Sequence, residues 1–151
     1  MSLSSKRQAR GFTLIEMMVV LAIIGTLAML VGPSVFRNLG DANITAAQTQ
    51  IETMAVALDG YRLDVGRYPT TEEGLAALRR QPIGASAPAG WRGPYLRKAV
   101  PLDPWHRPYA YEAPGVYNPD SYDLYTLGRD GLQDGEGEDA DITSWGEGFD
   151  Q

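Results

Sequence analysis

The chain of 151 residues contains no cysteine and one histidine, and its 13 basic residues are outnumbered by 19 acidic ones. Without cysteine, disulfide bonds, thiolate catalysis and cysteine-based metal sites are excluded. The formal net charge of −6 argues against non-specific binding to nucleic acid, which requires clustered lysine and arginine. What is left is a small acidic protein of one domain, with or without an appended segment.

An apolar segment lies near the start of the chain, after Lys6, Arg7 and Arg10. From Met17 to Phe36 no residue is charged, and a helix of this length spans about 30 Å, enough to cross a bilayer core. The basic residues in front of it predict a cytoplasmic N-terminus and a C-terminal part on the other side of the membrane. A cleaved signal peptide and a plain single-pass anchor are two interpretations of this segment.

A third interpretation depends on the sequence GFTLIE at the start of the segment. It resembles the processing site of type IV pilins and of type II secretion pseudopilins. The resemblance implies that a prepilin peptidase cuts between Gly11 and Phe12 and that Phe12 is N-methylated. Glu16 then lies about one helical turn from the new amino terminus. An intramembrane carboxylate persists only if it is paired or functional, and the resemblance implies that Glu16 faces a subunit amine during assembly.

An amphipathic helix is predicted after the apolar segment. Apolar residues recur at intervals of three and four, which predicts one buried stripe: Ile44, Ala47, Ile51, Met54, Leu58, Tyr61 and Val65. The stripe is predicted to pack on the C-terminal part of the chain. A coiled coil is disfavoured because the run is short. Gly32 and Pro33 predict a kink or a loosening of the helix.

The second half of the chain, rich in glycine and proline, is predicted to form a small head. Thr70 and Glu73 have the spacing of a capping box, which predicts a short helix that buries Leu75 and Leu78 and ends at Pro82.

Strands are predicted near residues 109–112 and in SYDLYTL, residues 121–127. The small core is predicted to contain several aromatic residues, with a carbohydrate-binding surface as the disfavoured alternative: Tyr68, Trp91, Tyr95, Trp105, Tyr109 and Tyr111.

Three stretches of the head, YRLDVGRYPTTEEGLAAL, DPWHRPYAYEAPG and YDLYTLGRDG with GEDADITSW, resemble the major pseudopilins of type II secretion. The resemblance implies an α+β, type IV pilin-like fold: a long N-terminal helix packed on a short helix and a small antiparallel sheet, with a calcium-binding C-terminal loop. The predicted boundaries are a cleaved leader (1–11), a transmembrane helix (12–36), a stalk helix (37–65) and a periplasmic head (66–151) that includes an acidic loop (127–151).

His106 departs from this resemblance, because the family commonly has glycine at the matching position. A turn with positive φ tolerates histidine less well than glycine. A metal or catalytic role is the alternative, but no partner lies near His106 in the sequence pattern, so a solvent-exposed turn is predicted.

The acidic loop contains eight acidic residues, six glycines and one base. A solvated, disordered tail is one interpretation. A calcium loop is the other, because clustered oxygen ligands on a glycine-rich backbone suit Ca²⁺. An EF-hand is rejected, since Leu132 occupies a ligand position and the flanking segments are not two long helices.

The resemblance to major pseudopilins implies one structural calcium ion in this loop. The implied ligands are the carboxylates of Asp130, Asp139 and Asp141 and the backbone carbonyls of Leu127 and Arg129, with Asp134 left uncertain.

The resemblance also implies a function. The chain would polymerise through its N-terminal helix into a periplasmic pseudopilus that drives folded exoproteins through the outer-membrane channel. The implied partners are further copies of the chain, minor pseudopilins, the prepilin peptidase, the inner-membrane assembly platform with its ATPase, and the secreted exoproteins. The implied location is the bacterial inner membrane, in a single pass, with the N-terminus in the cytoplasm and the head in the periplasm.

The sequence disfavours two alternative classes of function. A type IV pilin usually carries a disulfide-bounded loop, which this chain cannot form, and minor pseudopilins often lack the acidic loop. An enzyme on a membrane anchor is disfavoured, because the sequence has one histidine and no G-x-S-x-G motif. A phosphate loop of the form G-x-x-x-x-G-K-[ST] is absent as well, so the chain is not the ATPase of such a system.

Overall fold

The computed structural model describes residues 12–84 and 87–146, and for residues 31–38 it describes only the backbone. One long helix precedes a small sheet, which confirms the α+β fold. The elements in chain order are helix α1 (Leu14–Val65), a 3₁₀ helix (Leu75–Leu78), strands β1 (Ala110–Glu112) and β2 (Asp123–Thr126), a second 3₁₀ helix (Gly137–Asp139) and strand β3 (Ile142–Thr143). The chain divides into two compact units, one up to Asn38 and one from Leu39.

The first unit consists of the N-terminal part of α1. Thr13 caps the helix, because its Oγ1 accepts a hydrogen bond from the Glu16 backbone N–H at 3.3 Å. The backbone stays helical through Pro33, so the expected loosening does not interrupt the helix.

The predicted transmembrane segment also lies in this unit. Over the residues that the structure describes, none of the helices combines the length and apolarity needed to cross a membrane. The predicted span 12–36 runs into residues 31–38, whose side chains lie outside the described part. The span therefore stays a prediction.

The second unit is built around residues 39–65 of α1. Five members of the predicted stripe are at most 4% exposed: Ala47, Ile51, Met54, Leu58 and Tyr61. Ile44 and Val65 are half-buried against the same core. Residues three and four apart lie on one side of a helix, and this side packs on the rest of the unit. The predicted stripe is thereby confirmed.

The turn that follows α1 contains the predicted capping box. The Thr70 N–H donates to Glu73 Oε2 at 2.9 Å, and the Glu73 N–H donates to Thr70 Oγ1 at 3.2 Å. Leu75 and Leu78 are buried as predicted. The helix itself is one 3₁₀ turn that ends at Leu78, well before Pro82. It is short because Gly74, with φ of 56° and extended ψ, separates the capped turn from the residues that follow.

The sheet is antiparallel with the strand order β1-β2-β3. Tyr111 pairs with Leu124, and Tyr125 pairs with Thr143. Both predicted strands are present, and the segment ITSW supplies the third. Leu124 and Thr126, two residues apart on one face of β2, are buried.

Asp123, on the opposite face of β2, is buried as well. Its carboxylate accepts hydrogen bonds from the backbone N–H groups of Val116 at 2.7 Å, Tyr117 at 2.9 Å and Asn118 at 3.0 Å. A buried carboxylate is tolerated when hydrogen bonds satisfy it, and here it anchors the loop before β2.

The aromatic residues confirm the predicted core. Tyr109 is buried in the core, and the other five are half-buried and pack against that core. Two tyrosines bind the head to α1 through their hydroxyl groups: Tyr109 donates to Gln50 Oε1 at 2.6 Å, and Tyr95 donates to Asp64 Oδ2 at 3.0 Å. Tyr122 is also buried, and desolvation raises its pKa to about 12.

Candidate functional site

The N-terminal site lies at the start of α1. Gly11 lies outside the described residues, whereas Phe12 is 74% exposed. Glu16 is in the first helical turn, where the positive end of the helix dipole favours a carboxylate. Many large apolar side chains of residues 12–30 are exposed in the single chain, among them Leu14 and Met29. The site therefore consists of one carboxylate near the N-terminus of a helix whose apolar side chains are exposed.

The acidic loop follows β2, and its residues 128–129 pack backbone against backbone on its residues 138–140. The Arg129 N–H donates to the Glu138 carbonyl at 2.7 Å. Gly128 has φ of 59°, and a Cβ there would lie 2.7 Å from the carbonyl oxygens of Glu138 and Ala140. Only glycine fits this close approach, which brings residues 128–129 beside residues 138–140.

The Arg129 side chain holds the carboxylate of Asp139. Its Nε donates to Asp139 Oδ1 and its Nη2 donates to Oδ2, both at 3.0 Å. In this arrangement the arginine engages both carboxylate oxygens of one predicted calcium ligand.

Asp141 has one satisfied and one unsatisfied carboxylate oxygen among the described residues. Its Oδ2 accepts a hydrogen bond from the Asp134 N–H at 2.8 Å. Its Oδ1 is buried and has no hydrogen-bond partner among the described residues. Burial raises the pKa of the Asp141 carboxyl, the hydrogen bond from Asp134 opposes this, and the charges of Asp134 and Asp130 raise it further. A buried anionic oxygen beside like charges suits a bound cation.

The remaining predicted ligands are only partly arranged. Asp130 Oδ1 accepts a hydrogen bond from the Leu132 N–H at 2.9 Å. The Leu127 carbonyl accepts one from the Gly131 N–H at 3.1 Å, which leaves it a second lone pair. In residues 12–84 and 87–146, no three acidic or histidine side chains are grouped so that they could hold a metal ion. The residues fit a hard cation in their chemistry, and the calcium ligand set stays a prediction.

His106 lies in an exposed turn with φ of 69°. The carboxylate of the buried Asp103 holds this turn, because its Oδ1 accepts hydrogen bonds from the backbone N–H groups of Trp105 at 3.0 Å and Arg107 at 2.7 Å. The predicted exposed turn is confirmed, and its backbone has the positive φ that favours glycine.

The sequence patterns did not identify one contact of the acidic loop. The Glu138 side chain lies on α1, where Asn43 Nδ2 donates to its Oε1 at 3.3 Å. The one available signal was Gly40, a glycine inside a predicted helix.

Comparison with known proteins supports the pilin-like architecture and identifies the family. The family described as type II secretion system (T2SS), protein G matches residues 34–145. The prokaryotic N-terminal methylation motif matches residues 6–32.

Curated relatives cover almost the whole chain. The type II secretion system core protein G of Pseudomonas aeruginosa is 47% identical over 140 residues, which is 93% of this chain and 97% of that protein. The protein of the same description from Vibrio cholerae is 43% identical over 140 residues, covering 92% of this chain and 93% of that protein.

A solved structure shares the fold. The major pseudopilin of the type 2 secretion system of enterohaemorrhagic Escherichia coli is 36% identical, with a TM-score of 0.59, covering 72% of this chain and 90% of that one. A capped N-terminal helix with a methylation motif, followed by a small antiparallel sheet, thus defines a pilin-like subunit. The chain belongs to the protein G family of type II secretion systems.

Proposed function

We propose that the chain is the major pseudopilin subunit of a type II secretion system, a structural protein and not an enzyme. Many copies polymerise through α1 into a periplasmic pseudopilus. The observation that carries this proposal is the set of exposed apolar side chains on residues 12–30, with the carboxylate of Glu16 in the first turn of the helix. A surface of this kind requires a lipid or protein partner.

The first partner of this surface is the inner membrane. The segment 12–36 anchors the subunit there in a single pass, and the head lies in the periplasm. A prepilin peptidase removes the leader on the cytoplasmic side, which deletes Lys6, Arg7 and Arg10 and creates a methylated amine on Phe12.

The second partner is the same segment of other copies. When a subunit leaves the membrane, its apolar residues exchange lipid for neighbouring helices. Pairing Glu16 with the amine of a neighbouring Phe12 lowers the cost of burying both charges and sets the subunit register.

Other components of the secretion system take part in filament growth. Minor pseudopilins, an assembly platform and its ATPase support the growth of the filament, which moves folded exoproteins towards an outer-membrane channel.

Calcium has a structural role in this proposal. Asp130 and Asp141 bind the ion, together with the carbonyls of Leu127 and Arg129. The ion neutralises the mutual repulsion of the carboxylates and stabilises a loop without disulfides. Asp139 joins this set only if its carboxylate leaves Arg129.

Processing and assembly test the proposed function. Co-expression with a prepilin peptidase should give a mature chain that begins at N-methyl-Phe12, read by mass spectrometry. Adding the assembly platform and its ATPase should give filaments visible by electron microscopy. A retained leader in a host that processes a related pseudopilin would contradict the proposal, as would a processed chain that never polymerises.

A further inference from the structure

Gly40 forms a notch in α1 that receives the side chain of Glu138. A Cβ at Gly40 would lie 2.7 Å from Glu138 Cγ and 2.8 Å from its Cδ. These distances are shorter than carbon atoms tolerate, so alanine at position 40 would displace the glutamate. Glycine in a helix interior costs about 1 kcal/mol relative to alanine. The contact with Glu138 explains why glycine occupies position 40 despite its low helix propensity.

Two polar partners hold Glu138 at the notch. Asn43, one turn further along α1, donates from Nδ2 to Glu138 Oε1 at 3.3 Å. Arg129 donates from Nη1 to Glu138 Oε2 at 3.0 Å. One carboxylate therefore contacts the stalk helix with one oxygen and the first turn of the acidic loop with the other.

The backbone of Glu138 also joins two segments of the acidic loop. Its carbonyl accepts the hydrogen bond from the Arg129 N–H at 2.7 Å. Asp130 is the residue after Arg129, and Asp141 lies three residues after Glu138. Both carboxylates are therefore close in sequence to this backbone hydrogen bond. The separation between these two carboxylates therefore depends on how Glu138 holds residues 128–129 against residues 138–140.

We infer that Glu138 and its notch at Gly40 position the cation site, and that the site is coupled to the stalk helix. This inference rests on the calcium role proposed above. Glu138 is a positioning residue and not a ligand. Because coupling between two equilibria is reciprocal, calcium binding also strengthens the contact between the loop and residues 40–43. The ion would then stabilise residues 40–43 of α1, which belong to the second unit.

The test compares glycine-to-alanine substitutions at two positions of α1 in the full-length protein in detergent. Gly40→Ala fills the notch. Gly60→Ala is the matched control, because its added Cβ meets only Tyr95 Cδ1 at 3.4 Å, an ordinary contact. Both raise helix propensity equally. Calcium affinity is measured by calorimetry, and hydrogen exchange of amides 39–47 is measured with calcium and with chelator.

We expect Gly40→Ala to weaken calcium binding roughly ten-fold or more, as substitutions that disturb the support of metal ligands do. It should also abolish the calcium-dependent protection of amides 39–47. Gly60→Ala should change neither the calcium affinity nor this protection.

A second pair of variants changes charge instead of shape. Glu138→Gln should weaken calcium binding and reduce the protection of amides 39–47, as Gly40→Ala does. Glu136→Gln is its control, because Glu136 is an exposed residue of the same loop. These charge variants give an independent test if alanine at position 40 perturbs folding.

The outcomes separate this inference from the proposed function. If the unmodified protein binds calcium and Gly40→Ala and Glu138→Gln bind it equally well, the coupling is refuted and the calcium role stands. If calcium binding weakens without any change in the protection of amides 39–47, the link to α1 is refuted. If the unmodified protein shows no response to calcium, the calcium role fails, and the inference fails with it.

Discussion

The guanidinium of Arg67 holds the carboxylate of Glu73 through two hydrogen bonds, from Nη1 to Oε2 at 2.6 Å and from Nη2 to Oε1 at 2.7 Å. The same carboxylate caps the Thr70 N–H. Its side chain is 11% exposed, so water competes poorly for these bonds. One glutamate therefore fixes the path of the chain where it leaves α1.

This ion pair predicts an acid-sensitive contribution to stability. The hydrogen bond from Arg67 holds the pKa of Glu73 below its ordinary value of 4.5. A group with a lowered folded-state pKa stabilises the fold above the unfolded pKa, and the contribution is lost as the pH falls through the folded pKa. We expect Glu73→Gln to lower the free energy of unfolding by about 1–2 kcal/mol at neutral pH and to have little effect at low pH.

Denaturant titrations over a range of pH would check this dependence. Glu72→Gln is the control, since Glu72 is exposed on the same turn, and it should leave the pH profile unchanged. A Glu73→Gln deficit of equal size at neutral pH and at a pH below the folded-state pKa of Glu73 would show that the carboxylate charge is irrelevant.

The turn at His106 predicts a stabilising substitution. Its φ of 69° is strained for a residue with a Cβ, at a cost of about 1–2 kcal/mol. His106→Gly removes this strain but adds freedom to the unfolded chain, so we expect a net gain of up to about 1 kcal/mol. His106→Ala, which keeps the Cβ, should give no gain. Thermal unfolding of the three proteins would measure the difference, and equal melting temperatures for the glycine and alanine variants would rule out strain as the cause.

The sequence predicted those parts of the fold that depend on periodicity and local chemistry. The stripe on α1 and the capping box at Thr70 and Glu73 were both predicted, because each depends on residues within a few positions of one another. The burial of Asp123 was not, since its partners at 116–118 belong to a loop without periodicity. The contact between Gly40 and Glu138 joins residues almost a hundred positions apart, and no local pattern identifies such a pair.

The buried oxygen of Asp141 predicts opposite effects with and without calcium. In the absence of calcium, Asp141→Asn removes a desolvated charge beside Asp134 and Asp130, so stability should be unchanged or slightly higher. With calcium at about a hundred times its dissociation constant, the unmodified protein should gain about 2.7 kcal/mol, whereas Asp141→Asn should gain little.

Melting curves with calcium and with chelator would show whether the effect of Asp141→Asn on stability changes sign. Asp130→Ala should also lose the gain, while Asp120→Asn, in an exposed loop before β2, should keep it. A calcium response of the same size in Asp141→Asn and in the unmodified protein would remove Asp141 from the ligand set.

Glu16 predicts a separation between membrane insertion and assembly. Glu16→Gln keeps the shape of the side chain and removes its charge, so the apolar segment should insert as before. Assembly should fall steeply, because the amine of a neighbouring Phe12 would then be buried without a counter-charge, and an unpaired buried charge is expensive. Glu52→Gln, on an exposed face of α1 in the second unit, is the control for loss of a helix carboxylate.

Membrane fractionation and counting of filaments by electron microscopy distinguish the two steps. Equal amounts of Glu16→Gln and unmodified protein in the membrane, with few filaments from the variant, would fit the pairing. Filaments in normal number from Glu16→Gln would show that assembly does not use the carboxylate. Loss of the variant from the membrane would instead place the role of Glu16 before assembly. Glu16→Asp refines the result, since a shorter carboxylate keeps the charge but reaches the amine less well, and it should assemble to an intermediate extent if direct pairing sets the register.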